Sequence, residues 1–423
     1  MSAFNYLNGL LHCDLVPLST LAAKFGTPLY VYSADRLREN YRRLAAAFAP
    51  LHPTICYSVK ANSNLSILRL LRDEGASFDI VSGGELFRVQ QLGANMAHVV
   101  FAGVGKTEAE IEMALRANVG WINVESDGEL RRVNDLAGRL GRHPNVAIRL
   151  RPDVDADTHR HISTGSAASK FGVPVTQALE LVRAQLPNLH VRGAHIHIGS
   201  QLANPQATLQ AIEAVLEFVA KANALGATID TLDIGGGFPV SYRGDDEMPD
   251  IESFAAPILN QLAHWKGGLT LEPGRYLVAD SAALIVTVQY EKNDSAPAHR
   301  IVIVDAGMNT LLRPALYDAY HRVLPVERID NTCPTAGVGS PYTPADVAGP
   351  ICESADFLAR NCPLPPLNSG DLLALLDVGA YGFAMASNYN SHPLPAEVLV
   401  EGNTHHLIRR RQTYEQLIAN EVI

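Results

Sequence analysis

From residue 54 to about residue 274 the chain keeps one rhythm, in which short apolar, β-branched runs alternate with stretches of helical periodicity. The runs are Ile55–Val59, Phe78–Val81, Val99–Ala102, Trp121–Val124, Val146–Leu150, Ala194–Ile198, Leu232–Ile234 and Leu269–Leu271. Helix-like stretches lie between them, among them Leu65–Asp73, Glu108–Ala117, Asp127–Leu140, Gln206–Ala224 and Ile251–Leu262. Parallel strands need crossovers, and helices supply them. Eight strands with intervening helices is the count of a (β/α)8, TIM-like barrel. A doubly wound open sheet produces the same alternation; the count favours the barrel.

After Gly274 the texture changes. Leu284–Tyr290, Ile301–Val304, Leu372–Leu376 and Val398–Val400 are strand-like and separated by Pro/Gly-rich turns, which predicts a β-rich C-terminal domain. The segment Asn331–Pro350, rich in Pro, Gly, Thr and Ala, is expected to be a surface loop. The barrel is placed at residues 27–275 and the β-rich domain at 276–423. Residues 1–26 precede the rhythm and are open to either.

Composition narrows the class. Of 423 residues, 47% are hydrophobic and 18% charged, which suits a large buried core and excludes disorder as the main state. Lys and Arg number 34 against 44 Asp and Glu, a formal charge of −10, so neither a nucleic-acid surface nor an anionic membrane face is expected. No apolar run is long enough to span a bilayer. Met1–Leu18 lacks the basic and apolar regions of a secretory signal. Five widely spaced cysteines without a C-x-x-C pair point to a reducing, cytoplasmic setting.

In a barrel of this kind functional groups gather at the C-terminal ends of the strands. Reading only those positions yields Lys60 after strand one, Ser82-Gly83-Gly84-Glu85 after strand two and His195-Ile196-His197-Ile198-Gly199-Ser200 after strand six. Gly235-Gly236-Gly237 follows strand seven, and Glu272-Pro273-Gly274-Arg275 follows strand eight. Bare backbone N–H groups and an arginine suit a phosphate there. A partly desolvated lysine favours the neutral amine that forms a Schiff base. An aromatic stacker and a carboxylate for a ring nitrogen complete a set that points to pyridoxal 5'-phosphate. Each residue alone has a plainer reading: a solvated lysine, a tight glycine turn, a hydrogen-bonded core histidine, a surface carboxylate. Those plainer readings are independent, whereas the set needs all of them at matching strand ends.

Two patterns are set aside. Gly103-Val104-Gly105-Lys106-Thr107 resembles a phosphate loop, but the first glycine of G-x-x-x-x-G-K-[ST] falls on Val100; a turn before the helix at Glu108 is expected instead. His159 and His161 alternate like metal ligands without a completing Cys, Asp or Glu cluster, so no metal is expected.

The residues Tyr57–Asn62, Asp79–Leu86, His159–Gly172, His195–Gln201, Asp233–Pro239, Glu272–Arg275, Arg313–Tyr317, Cys352-Glu353-Ser354 and Tyr381, in this order, resemble the fold type III pyridoxal-phosphate decarboxylases. Arg313–Tyr317 and Cys352–Ser354 are similar in particular to their diaminopimelate branch. The resemblance spans nearly the whole chain and implies that residues 1–26 return to the β-rich domain. It implies Lys60 as the cofactor's Schiff-base lysine, His197 stacked on the ring and Glu272 at the ring nitrogen. Asp79, Ser200, Gly236, Gly237, Gly274, Arg275 and Tyr381 are implied as further cofactor contacts. Arg313, Tyr317 and Glu353 would grip the distal amino-acid end of the substrate, with Arg275 and Tyr381 also touching it. Cys352 is implied as the acid that reprotonates the α-carbon. Family members are dimers with shared sites, so a homodimer is implied, with Cys352 and Glu353 supplied by the neighbouring chain. The implied reaction converts meso-2,6-diaminopimelate to L-lysine and CO2. Alternatives are another decarboxylase of the fold, acting on ornithine, arginine, a D-amino acid or carboxynorspermidine, an alanine-racemase-like activity, or a non-catalytic cofactor-binding relative. Ser58 stands where alanine is expected and Ala355 where glycine is usual, and Asn331–Ala345 is longer than typical.

Overall fold

Eight parallel strands close on themselves in the computed structural model, which describes residues 2–154, 169–243, 248–295, 298–328 and 342–423. They are β1 (Thr54–Ser58), β2 (Ser77–Ile80), β3 (Val100–Phe101), β4 (Trp121–Val124), β5 (Asn145–Arg151), β6 (His190–His195), β7 (Thr231–Asp233) and β8 (Gly268–Leu271). Each pairs with the next in parallel register, and Thr270 and Leu271 of β8 return to Thr54 and Ile55 of β1. That last pairing makes a barrel rather than an open sheet. The strands read as continuous apolar runs because both faces are covered, with Phe78, Ile80, Phe101, Ile122, Val124, Val146 and Ile148 all buried.

Local chemistry sets where the helices begin. Ser82 caps Gly83–Gln91, Ser126 caps Asp127–Leu140, and Thr107 with Glu110 forms a reciprocal capping box on Glu108–Ala117. The Gly103–Thr107 turn is therefore a helix entry, as its spacing implies. Its lysine points inward: Lys106 Nζ donates to the carbonyls of Gly103 and Asn123 at 2.8 and 2.7 Å and pairs with Glu129 at 2.7 Å.

This unit comprises Asn40–Val240 and Glu247–Leu277; the other comprises Met1–Glu39, Ser241–Asp246 and Val278–Ile423. In the second unit the long strand Ala282–Ser295 organises the sheet. Its first half pairs antiparallel with Leu29–Ser33 and with Leu372–Leu376, and its second half with Ala298–Val304. Leu29–Ser33 is flanked on its other side by Ala396–Glu401, in parallel. A small sheet of Phe4–Leu7, Leu10–Cys13 and Val16–Pro17 lies at the N-terminus. Leu11, Leu18, Leu21, Leu29, Val31, Ile285 and Val398 pack in one core.

Two expectations are corrected. The barrel does not begin at residue 27, because Leu29–Ser33 is hydrogen-bonded on both edges inside the β-rich sheet. Asn331–Pro350 is not all loop: Thr343–Ala348 is a strand, parallel to Ala298–Val304 and antiparallel to Phe357–Leu364. Its polar and proline-containing start masks a buried Ala345–Ala348 stretch. The earlier part of that segment, and His159, His161 and residues 162–165, lie outside the described residues.

The Lys106–Glu129 pair yields a test. Glu129→Gln leaves a buried ammonium without its counter-charge, and we expect a cost of about 3 kcal/mol, seen as an earlier denaturation midpoint. Adding Lys106→Met should recover much of that loss; a double variant no better than Glu129→Gln would contradict the pairing as described.

Candidate active site

Lys60 sits in the single turn Val59–Ala61 that follows β1, its side chain 36% exposed. Its Nζ lies 3.0 Å from Oδ2 of Asp79, a buried residue of β2. Ser58, where alanine is expected, has a use: its hydroxyl donates to the same Asp79 oxygen at 2.7 Å, with the Glu272 carbonyl a second acceptor 3.1 Å away. Burial and the nearby Glu272 push the Asp79 carboxyl up, and Lys60 opposes them. Asp79 Oδ1 has no hydrogen-bond partner among the described residues.

Asp233 ends β7 and Glu272 follows β8, so three strands deliver three buried carboxyl groups. They cannot all be charged in a low-dielectric interior. Burial and the neighbouring Glu272 raise Asp233 well above the carboxylate range, so it keeps its proton. Burial acts the same way on Glu272, but the contact with His195 and the Lys60 ammonium outweigh it and hold this carboxyl below its usual range. Asn123 of β4 reaches both, with Nδ2 at 3.3 Å from Asp233 Oδ2 and 3.5 Å from Glu272 Oε1. His195 Nε2 is 3.3 Å from Glu272 Oε2. Donor atoms of His195, Asp233 and Glu272 lie within 4.8 Å of one another.

His197 accepts a hydrogen bond on Nδ1 from the Gly236 N–H at 3.2 Å, which leaves the ring proton on Nε2. Burial first, then the Lys60 and Arg149 charges, lower its pKa to about 3. Arg149 of β5 is itself buried against Glu125 at 3.0 Å, and Glu125 also accepts the Gly172 N–H at 3.1 Å.

The glycine run is a cradle of bare peptide. Gly235 and Gly237 have φ of +68° and +96°, and a Cβ on Gly236 would fall 2.3 Å from the Glu272 carbonyl oxygen. Arg275 Nε donates to Ser200 Oγ at 3.1 Å. A dianion would find backbone donors, a hydroxyl and a guanidinium here, and the orphaned Asp79 Oδ1 and Asn123 Oδ1 would find donors on a polar ring. These residues fit pyridoxal phosphate.

Arg313, Tyr317, Cys352, Glu353 and Tyr381 belong to the β-rich unit. Arg313 opens the short helix Arg313–Tyr317 and is buried, its Nη1 3.1 Å from His321 Nε2 and its guanidinium 5.0 Å from the Tyr242 ring centre. His321 Nδ1 is 3.0 Å from the Leu376 carbonyl, so the ring donates there and accepts from Arg313 on Nε2. Cys352 and Glu353 are exposed. Tyr381 has φ +57°, a left-handed conformation rarely held by an aromatic residue.

Asn123, Arg149 and Asp233 were given no role in the sequence reading, and His195 only a place at a strand end. The usable signal is a polar residue near the C-terminal end of an apolar strand, the rule that finds Lys60 and Glu272.

A closed parallel barrel bearing a lysine, a glycine cradle and a buried carboxylate at its strand ends defines a class, and comparison with known proteins agrees. Residues 34–279 match the family described as pyridoxal-dependent decarboxylase, pyridoxal binding domain, and the chain belongs to that family. Within it the chain belongs with the diaminopimelate decarboxylases. The enzyme of that name from Neisseria meningitidis serogroup A is 46% identical over 97% of this chain and 99% of its own length. A crystal structure of the Helicobacter pylori diaminopimelate decarboxylase complexed with L-lysine is 39% identical, with a TM-score of 0.89 over 96% of this chain and 99% of that one. The M. jannaschii enzyme in co-complex with L-lysine is 36% identical, with a TM-score of 0.93 over 100% and 99%.

The buried imidazole yields a prediction. An ordinary histidine gains its proton near pH 6.5 and His197 only near about 3. The unfolded chain therefore binds one more proton across that window, and stability falls as pH drops through it. Between pH 7.5 and 5 this group should account for about 2 kcal/mol of lost stability. His197→Gln should lose that much less over the same range in denaturation experiments; parallel pH curves would contradict a neutral His197.

Proposed function

We propose that the chain uses pyridoxal 5'-phosphate to decarboxylate meso-2,6-diaminopimelate at its D-configured centre, giving L-lysine and CO2. The observation that carries this reading is the set of groups the two units offer. The barrel presents an aldehyde-binding lysine, an ionised carboxylate and a phosphate cradle, and the β-rich unit presents Arg313 and Glu353, of opposite charge. A substrate whose far end is itself an amino acid needs both charges. The L-lysine in two solved relatives is the product that this reaction would release.

The bound cofactor supplies an electron sink for the pair left behind when CO2 departs. The chain's residues do the rest. Lys60 provides the amine that holds the cofactor, and Asp79 keeps that amine oriented. Glu272, kept ionised beside protonated Asp233, pairs with a proton on the ring nitrogen. His197, neutral and locked by Gly236, offers a flat face. Ser200, Gly236, Gly237, Gly274, Arg275 and Tyr381 hold the phosphate and its surroundings. Arg313 and Tyr317 hold the distal carboxylate, Glu353 the distal ammonium, and Arg275 and Tyr381 also touch substrate. Cys352 Sγ delivers a proton to the α-carbon.

The exposure of Cys352 and Glu353 in the single chain favours a homodimer in which each subunit lends this pair to its neighbour. Among the described residues no helix is long and apolar enough to cross a membrane. The cysteine usage favours the cytoplasm, and the net charge of −10 argues against nucleic acid as a partner.

Purified protein with added cofactor should release lysine and CO2 from meso-diaminopimelate and neither from ornithine, arginine or lysine. CO2 from one of those, with diaminopimelate untouched, would keep the cofactor and reject the distal pocket. Lys60→Ala should abolish turnover. Arg313→Ala should lower kcat/KM by about 100-fold or more, the scale of a lost charge-assisted pair.

A further inference from the structure

Glu353 and Cys352 stand on an exposed turn, and a long carboxylate side chain in water samples several rotamers unless something holds it. The root of the turn is fixed by buried Asp356. Its Oδ1 accepts the Met308 N–H at 2.6 Å, and its Oδ2 accepts the Ile351 N–H at 2.7 Å. The tip is fixed by a second segment. The Cys352 N–H donates to Asn390 Oδ1 at 3.0 Å, and the Tyr389 hydroxyl donates to Glu353 Oε1.

This second segment is shaped for those contacts. Asn390 and Ser391 both have left-handed backbones, with φ of 52° and 58°, inside the turn Tyr389–Ser391. Two consecutive non-glycine residues in that region are costly. The base of the turn is braced by Asn388, whose Nδ2 donates to the His392 carbonyl at 2.9 Å and to Gln412 Oε1 at 2.6 Å. Tyr389 is 43% exposed, so packing alone does not explain an aromatic residue there. A hydrogen bond between two exposed side chains adds little to stability. The strain and the exposure are explained if the contacts serve the residues they touch.

We propose that Tyr389 and Asn390 are positioning residues for decarboxylation: Tyr389 fixes the Glu353 carboxylate where it meets the substrate's distal ammonium, and Asn390 fixes the backbone that carries the Cys352 thiol. The inference rests on the roles given above to Glu353 and Cys352. The two contacts act on different steps. Glu353 binds an end of the substrate that does not react, so misplacing it weakens ground state and transition state alike and raises KM. Cys352 acts during the reaction, so misplacing it lowers kcat.

The test uses the holoenzyme with meso-diaminopimelate. Tyr389→Phe keeps the ring and removes the donor; KM should rise about tenfold with kcat within about twofold. Combined with Glu353→Gln it should add nothing further, because the phenol acts only through that carboxylate. Asn390→Gly relieves the left-handed strain while removing the acceptor, so kcat should fall about tenfold without a lower thermal midpoint. Asn390→Asp, which retains an acceptor oxygen, should restore kcat. A purely structural role would instead lower the thermal midpoint in Asn390→Gly and leave both constants alone. If Glu353→Gln raises KM and Tyr389→Phe does not, or if their effects add, the positioning role is overturned while the reading of Glu353 stands. If Glu353→Gln leaves KM unchanged, that reading fails and the role of Tyr389 falls with it.

Discussion

Asp79, Asp233 and Glu272 are buried together where three barrel strands end, and an apolar interior does not tolerate three neighbouring negative charges. The rest of the site follows from how that conflict is resolved. Asp233 keeps its proton, Glu272 takes the charge, and Lys60 with a serine hydroxyl steadies Asp79. Even so, Asp79 Oδ1 and Asn123 Oδ1 have no partner among the described residues. An unsatisfied buried acceptor costs on the order of 1–3 kcal/mol. A polar ring bound at the barrel mouth would relieve a penalty already built into the fold, which would tie cofactor binding to stability.

A chain of contacts carries this arrangement back into the scaffold. Arg149 pairs with Glu125, the Glu125 N–H donates to Glu129, and Glu129 pairs with Lys106, whose ammonium also holds the Asn123 carbonyl. The ends of β3, β4 and β5 are linked through charged groups rather than apolar packing alone. Buried ion pairs are poor evidence of stability, since desolvation offsets much of the attraction. Their value here is geometric: they hold Asn123 and Arg149 at fixed positions beside the carboxylates and His197.

Much of the barrel was legible in the sequence, and its candidate site could be read from it because strand ends on a parallel barrel are positions that can be counted. Lys60, His197, Glu272 and the glycine run all fall there. What escaped did so for physical reasons. Leu29–Ser33 is a buried apolar strand, and nothing in such a run says which sheet takes it; only its pairing with Ala282–Ser295 and Ala396–Glu401 decides. Thr343–Ala348 carries loop-like composition and is a strand because two neighbours supply its hydrogen bonds. Asn123 and Asp233 matter through their contacts with Glu272, Asn123 donating to both carboxyls and Asp233 raised by the Glu272 charge, a property of three residues far apart in the chain. Arg313, Tyr317, Cys352 and Glu353 are candidates on the resemblance alone, since no periodicity points to them.

The stretch from Asp377 to Ser391 shows what neither periodicity nor resemblance conveys. Asp377, Tyr381, Asn390 and Ser391 all have left-handed backbones without being glycine, at φ of 61°, 57°, 52° and 58°. Each conformation costs stability that a glycine would save, and such strain persists only where surrounding contacts over-determine it. Tyr381 lies at one end of this stretch; Tyr389 and Asn390, which touch Glu353 and Cys352, lie at the other. A glycine would relax the backbone but supply neither phenol nor carboxamide. At Asn390 the backbone favours glycine, but only a side-chain acceptor such as its carboxamide can take the Cys352 N–H, and that side chain is the one present.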